Sequence, residues 1–255
     1  MSIDLPPVDA GLWLPPKPAI IRPWKDTIAK LDTPKFESSF PFPSFCPGAA
    51  AVAPATVSRN YNQATGTTGL TPSITGVSFN TAHANRIIVF AFGWNGLGSN
   101  TFSSATIAGV AATLAADGSA FATSLRFVIF YAPVPTGTSG TVAVTLTGSG
   151  ASGHVGVSWS VVYINSGTHI AGAATTAAAG ANISVNVNTL ANSVMCGYGR
   201  GSQARTASGI SANYLNVLTG SHSVHNSLIA AATPAAAGLN NAGSQVTSFG
   251  AVTFS

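Results

Sequence analysis

The 255-residue chain is poor in the acidic groups on which most hydrolytic mechanisms depend. It has six Asp and Glu residues, and Asp117 is the only one that follows position 37. Glycoside hydrolysis normally needs two carboxyl groups around the scissile bond, and a Ser-His-Asp triad needs a carboxylate beside its histidine. Asp117 precedes Gly118, a pair that is typical of a hairpin turn. The sequence therefore predicts a protein that is not an enzyme.

Two short patterns resemble functional motifs but lack their structural context. Residues 156–160 depart from the nucleophile motif G-x-S-x-G at the last position and lie in a predicted strand. Gly148, Gly150 and Gly153 spell G-x-G-x-x-G, but a strand rather than a helix is predicted to follow, and no acid lies about 20 residues further on. We interpret this segment as a hairpin loop, and we expect no bound cofactor.

The five histidines give no metal-binding pattern within one chain. Only His222 and His225 lie close together, and the period of a strand would place them on opposite faces. We therefore expect no metal, although a site with one histidine from each subunit around a symmetry axis stays open as an alternative.

The two cysteines are too few for a disulfide scaffold. Cys196 shares a predicted strand face with Val194 and Tyr198, so we expect it to be a buried apolar filler. The alternative is a disulfide between Cys46 and Cys196, within one chain or between chains.

Charged residues make up 6% of the chain, against roughly 25% in an average soluble protein. After position 37 the basic residues are five scattered arginines: Arg59, Arg86, Arg126, Arg200 and Arg205. They form no stripe that could follow a phosphate backbone, so nucleic-acid binding is not expected. No stretch is long and apolar enough to predict a membrane span. The N-terminus lacks the pattern of a cleaved secretion signal, and we expect synthesis in the cytoplasm of the producing cell.

Residues 1–54 are predicted to form an extended, proline-rich arm. They contain 11 of the 15 prolines, which favour extended or polyproline-like backbone. One short amphipathic helix is predicted after Pro23, because apolar residues recur there at helical spacing. We expect large apolar side chains of this arm to pack on the protein's own domain or on a neighbouring subunit: Trp13, Leu14, Ile20, Ile21, Trp24, Ile28, Leu31, Phe36, Phe40, Phe42 and Phe45.

Residues 55–255 are predicted to form an all-β domain, an antiparallel β-sandwich. Alternation of apolar and polar residues over 141–147, 154–163 and 182–188 indicates strands with one buried face. About eleven strands are predicted, separated by turn signals such as 95–96, 135–137, 148–150 and 199–201. No long helical pattern intervenes, which disfavours parallel folds, and no internal period is visible.

The segment 105–113, the run 130–137 and the alternating strand 141–147 resemble the jelly-roll-type β domains of tailed-bacteriophage structural proteins. Residues 14–23 are similar to N-terminal segments of virion proteins of phages and prophages of α-proteobacteria. The resemblance implies a virion component that docks through its N-terminal arm on major capsid or tail proteins. Such a protein would be a capsid decoration protein or a fibre or spike protein, and a homo-oligomer, with a trimer as the first expectation.

A carbohydrate-binding or adhesive module that contacts a host surface glycan is the alternative function. Sugar sites use exposed aromatic side chains with amide partners, and Trp94 and Asn95 beside a predicted turn are the candidates for a ligand-contact loop. We expect a homo-oligomer with either function, because an almost uncharged sandwich with apolar strand faces is compatible with close packing of subunits.

Overall fold

The computed structural model describes residues 56–64, 68–96, 100–120, 125–162, 168–178, 181–201, 205–208, 210, 212–217, 222–229, 235–241 and 247–255. The chain divides between Ala49 and Ala50 into two units, and all described residues belong to the second. The predicted arm and its short helix lie outside them. Among the described residues there is no helix, and hence none that could cross a membrane.

The domain consists of antiparallel strands, as the sequence predicts. The first nine are β1 (Thr56–Ala64), β2 (Ser73–Ser78), β3 (Arg86–Gly96), β4 (Thr101–Ile107), β5 (Val110–Ala111), β6 (Thr113–Asp117), β7 (Leu125–Pro133), β8 (Ser139–Thr147) and β9 (Ala151–Val162). The others are β10 (His169–Ala177), β11 (Ile183–Val187), β12 (Ser193–Arg200), β13 (Arg205–Ser208), β14 (Ala212–Val217), β15 (His222–Ile229), β16 (Ala235–Asn241) and β17 (Thr247–Phe254).

The first nine strands form two sheets that pack on each other. Sheet I has the order β1-β9-β3-β7-β6, and sheet II has the order β2-β8-β4-β5. Between them lies a core that includes Phe90, Phe92 and Phe130 from sheet I and Val142 and Val144 from sheet II. Strand β8 alternates buried and more exposed positions because only one of its faces meets this core. We call this pair of sheets the first sandwich.

The remaining strands form a second sandwich that packs on the first. Sheet III has the order β10-β17-β12-β15-β14, and sheet IV has the order β11-β16-β13. Val185 and Leu239 of sheet IV pack on Met195 and Phe249 of sheet III. The other face of sheet III packs on sheet I through a third core. Sheets I and III are thus covered on both faces, which explains why β3 and β12 are buried along almost their whole length.

The two sandwiches repeat one arrangement, although the sequence shows no visible period. In the first, Ile87 of the central strand β3 pairs with Val161 of β9; in the second, Val194 of the central strand β12 pairs with Phe254 of β17. Each central strand follows a turn that is closed by the same backbone bond, from Arg86 N to the carbonyl of His83 and from Ser193 N to that of Leu190. This register makes positions 86 and 193 equivalent.

Several sequence expectations need correction. The described residues form seventeen strands in four sheets, whereas the sequence predicts about eleven strands in one sandwich. Residues 95–96 and 199–200, predicted to be turns, continue β3 and β12. The glycine-rich segment 148–150 is not a hairpin loop, because the strands that it joins belong to different sheets. Gly148 and Gly150 have positive φ, which lets the chain pass between the sheets.

Candidate functional site

The groups that most often carry catalysis lie apart from one another. Asp117 is exposed at the end of β6, where its carboxylate accepts a hydrogen bond from the backbone N–H of Ser119 at 2.7 Å. His83 is exposed and accepts from the N–H of Asn85 through Nδ1. His154 packs against Phe92. Within the described ranges, no group of three or more His, Cys, Asp or Glu residues could hold a metal ion.

His169 lies where the two sandwiches meet, between Tyr131 of sheet I and Phe254 of sheet III, with ring centroids 5.6 Å from each. Burial lowers its pKa, and a hydrogen bond with the backbone of Ala171 partly opposes that shift. His222 and His225 both belong to β15, opposite Arg200 and Gly197 of β12.

Cys196 is a free thiol in the core between sheets I and III, together with Val194 and Tyr198. This confirms the prediction of a buried apolar filler. Burial raises the pKa of the thiol far above its usual value, so the reactive thiolate is strongly disfavoured. Cys46, the suggested disulfide partner, lies outside the described residues.

Trp94 is not part of an exposed ligand-contact loop, and this prediction is wrong. It lies in β3, its side chain is 0% exposed, and it stacks on Phe92 with ring centroids 5.7 Å apart. Asn95 also lies in β3, and its Oδ1 accepts a hydrogen bond from Arg200 Nη2 at 2.9 Å. The strand extends through both residues because sheets II and III cover its two faces, so neither residue forms an open platform for a sugar.

A cluster of buried polar groups surrounds this end of β3 on the face toward sheet II. Arg126 of β7 is the register partner of Trp94, so the two side chains lie on the same face. The guanidinium donates from Nη1 to the backbone carbonyl of Asn100. Gly96 makes room for it: a Cβ there would lie 2.9 Å from Arg126 Nε and 3.4 Å from Asn100 Oδ1. We call Trp94, Asn100 and Arg126 the donor cluster.

A second guanidinium approaches the same end of β3 from the opposite face. Arg200 of β12 is 1% exposed and donates to the backbone carbonyl of Arg126 and to Asn95. Its side chain fits because β3 has a glycine opposite: a Cβ on Gly93 would lie 2.8 Å from Arg200 Cδ and 2.5 Å from Tyr198 Oη.

The electrostatics of this region follow from two buried cations in a domain with little negative charge. Burial lowers the pKa of Arg200, and the neighbouring Tyr198 partly opposes this shift. Burial also lowers the pKa of His154, the positive charge of Arg200 lowers it further, and a hydrogen bond with the backbone of Gly69 acts in the opposite direction.

Arg86 shows how a buried guanidinium can be fully accommodated in this domain. Nε donates to the carbonyl of Val134, Nη1 to those of residues 79, 80 and 81, and Nη2 to those of Thr136 and Gly137, all at 2.7–3.1 Å. These bonds join the segment before β3 to the segment after β7. Burial lowers the pKa of Arg86, and the six oxygens favour the charged form that donates to them.

Sequence reasoning did not anticipate these three buried arginines. A count of charges reveals only that they are scattered along the chain, and arginine is mostly exposed in proteins. The available signal was their position: Arg86 begins a run of apolar residues, Arg126 lies within one, and Arg200 lies between two glycines. The arm residues expected to dock on a partner, from Trp13 to Phe45, lie outside the described residues.

Comparisons of the chain with models of protein families, with curated proteins and with solved structures found no match.

Proposed function

We propose that this protein is a structural component of a bacteriophage virion whose β domain is a pair of jelly rolls. The strand pairing of the first sandwich supports this. Its first strand lies beside its last (β1 and β9), its second beside the next to last (β2 and β8), and β3 beside β7. The segment 110–117 crosses from sheet II to sheet I as β5 and β6. This pairing supports a jelly-roll arrangement, which is common in viral capsid proteins.

The second sandwich repeats three of these pairs, namely β10 with β17, β11 with β16 and β12 with β15. Repetition of one sandwich suits a protein whose task is to build a surface, because the same strand arrangement packs twice in one chain. A low charge content suits the same role, since neighbouring copies would not repel one another over a long range.

In this proposal, residues 1–54 dock on major capsid or tail proteins, and the β domain is displayed as a decoration, fibre or spike protein. The support is the contrast in the sequence between a proline-rich arm with many large apolar residues and a domain without a catalytic constellation. Each large apolar side chain buried on a partner would contribute about 1.5–3 kcal/mol before ordering costs. Homo-oligomers are part of the proposal, with a trimer as the first expectation.

Removal of residues 1–50 tests this function. We expect the truncated protein to keep the circular dichroism and the unfolding transition of the β domain, but to be absent from purified particles. Mass spectrometry of particles made with the full-length and the truncated chain gives the copy number of each. Equal incorporation of both chains would refute docking through the arm.

A carbohydrate-binding or adhesive module is a second candidate, because the jelly-roll arrangement is also used by lectins. The burial of Trp94 removes the site first expected for it. A glycan array would distinguish the candidates, since a purely structural protein should give no saturable signal.

A further inference from the structure

The donor cluster contains polar atoms that lack partners at a depth where partners are normally required. Trp94 and Asn100 are both 0% exposed. In the part of the chain that the structure describes, neither Nε1 of Trp94 nor either amide atom of Asn100 forms a hydrogen bond. Buried polar groups in native proteins are almost always satisfied, so each exception calls for a physical explanation.

The chemistry of the cluster identifies what would satisfy it. The indole N–H, the amide N–H and the guanidinium of Arg126 are all donors, and one of them carries a positive charge. Arg200 adds a second buried positive charge from the other face of β3. Asp117, the only acidic residue within the described ranges, is exposed and accepts from Ser119. The cluster therefore combines two donors without a partner among the described residues, on Trp94 and Asn100, with a positive field, and an anion complements both.

We propose that Trp94, Asn100 and Arg126 form a binding site for a carboxylate group. One carboxylate oxygen would accept from the indole N–H and the other from the Asn100 amide, while Arg126 supplies the charge. A buried site strengthens such bonds, because hydrogen bonds to a charged group are strongest where water is excluded. Asn100 Oδ1 remains free to accept from a hydroxyl group, as the sugar ring of a uronic acid would provide.

Gly96 is a positioning residue for this site. The Cβ of an alanine would lie 2.9 Å from Arg126 Nε and 3.4 Å from Asn100 Oδ1, so the guanidinium would have to move from its position beside Asn100. The proposal is independent of the virion assignment, since a carboxylate could come from a small acid or from an acidic sugar in either functional setting.

The test measures binding of sodium acetate and sodium glucuronate to the full chain. Thermal unfolding would be followed at constant pH and ionic strength, with sodium chloride as the reference, and calorimetry would give Kd. We expect saturable stabilisation of the wild type by at least one carboxylate. Tighter binding of glucuronate would identify an acidic sugar as the source, whereas equal binding would indicate that the carboxylate alone is recognised.

Trp94→Phe removes one donor and keeps the aromatic ring, and we expect it to weaken binding about tenfold, as the loss of one hydrogen bond to a charged group predicts. The matched control is Trp159→Phe. Trp159 is equally buried and its Nε1 also lacks a partner within the described ranges, but it lies in the core between sheets I and III. This control should bind as the wild type does.

Gly96→Ala should weaken binding at least as much as Trp94→Phe, and Arg126→Gln should abolish it. If the Arg126 variant does not fold, the two tryptophan variants still decide the question. Three results would overturn the proposal: no response beyond that to chloride, equal affinities in Trp94→Phe and Trp159→Phe, or tenfold tighter binding of sulfate than of either carboxylate.

Discussion

Replacement of Arg86 by methionine should destabilise the first sandwich more than any conservative surface change. Arg86 is 0% exposed, and its guanidinium donates to six backbone carbonyls. Methionine preserves an unbranched apolar stem, but leaves those carbonyls without the donor that now satisfies them. Six bonds to a charged group, at about 1.5–3 kcal/mol each, would exceed the total stability of many domains.

The net effect is smaller because removal of the guanidinium also removes the cost of burying its charge. Disruption of a buried charged network by loss of one partner typically costs about 3–5 kcal/mol, and we expect Arg86→Met to fall in that range. Lysine keeps the charge but has three N–H donors, so it can satisfy at most three of the six carbonyls. Arg86→Lys should therefore cost less than Arg86→Met, because part of the hydrogen bonding is retained.

The duplicated fold provides a matched control for this experiment. Ser193 is equivalent to Arg86 in the second sandwich and is also fully buried, yet its hydroxyl has no partner among the described residues. Ser193→Ala should therefore change stability by less than about 1 kcal/mol. Urea unfolding gives the free energies from midpoints and slopes. If the two sandwiches unfold separately, the loss should appear in the transition of the first.

The result that would refute this reasoning is an Arg86→Met protein within about 1 kcal/mol of the wild type. That outcome would mean that water replaces the guanidinium at little cost, and that the six bonds contribute no net stability. A lysine variant less stable than the methionine variant would refute a narrower point, because it would show that the charge itself is unfavourable at this position.

Two further predictions concern the junction of the sandwiches and its surroundings. The pKa values of His154 and His169 are lowered in the folded state, so the unfolded state binds more protons below about pH 6.5. The free energy of unfolding should therefore fall as the pH drops from about 6.5, by at most about 1.4 kcal/mol per pH unit for each histidine. Urea unfolding midpoints at pH 7.5 and pH 5 measure this loss of stability. The His169→Gln variant should lose less stability between the two pH values than the wild type, and midpoints that do not change with pH would contradict the prediction. A Cβ on Gly172 would lie 1.8 Å from the carbonyl oxygen of Ala115, so Gly172→Ala should lower the free energy of unfolding by more than about 2 kcal/mol. Gly76 has open space around it and a φ of +69°, so Gly76→Ala should cost about 1 kcal/mol in the same assay. Equal losses in the two variants would refute the close contact at Gly172.

The strands with a strong sequence pattern were predicted, and those without one were not. Residues 141–147 and 182–188 alternate clearly, and β8 and β11 lie there. Strands β10 and β16 are rich in alanine and glycine and give little signal. They form because β17 and β11 offer them complete ladders, and because small residues allow close approach. A Cβ on Gly238 would lie 2.3 Å from the carbonyl oxygen of Ile183.

The candidate site was beyond sequence reasoning for a related reason. The sequence predicts that Trp94 and Asn95 lie beside a turn, because Asn-Gly usually marks one. Here the strand continues, since sheets II and III supply apolar surfaces on both of its sides. Arg126 reaches this strand through the pairing of β7 with β3, and Arg200 reaches it through the packing of sheet III on sheet I, 105 residues away from Asn95 in the sequence. No local pattern encodes either approach.

The duplication also bears on the stoichiometry of the proposed carboxylate site. By the shared register, Gly93 is the counterpart of Arg200, and Trp94 is the counterpart of Gly201. In the interface between sheets I and III, Arg200 and Tyr198 occupy the space beside Gly93. The second sandwich has no indole at the position of Trp94, so it cannot repeat the donor cluster. The two halves share a fold but not the site, and we therefore expect one carboxylate per chain.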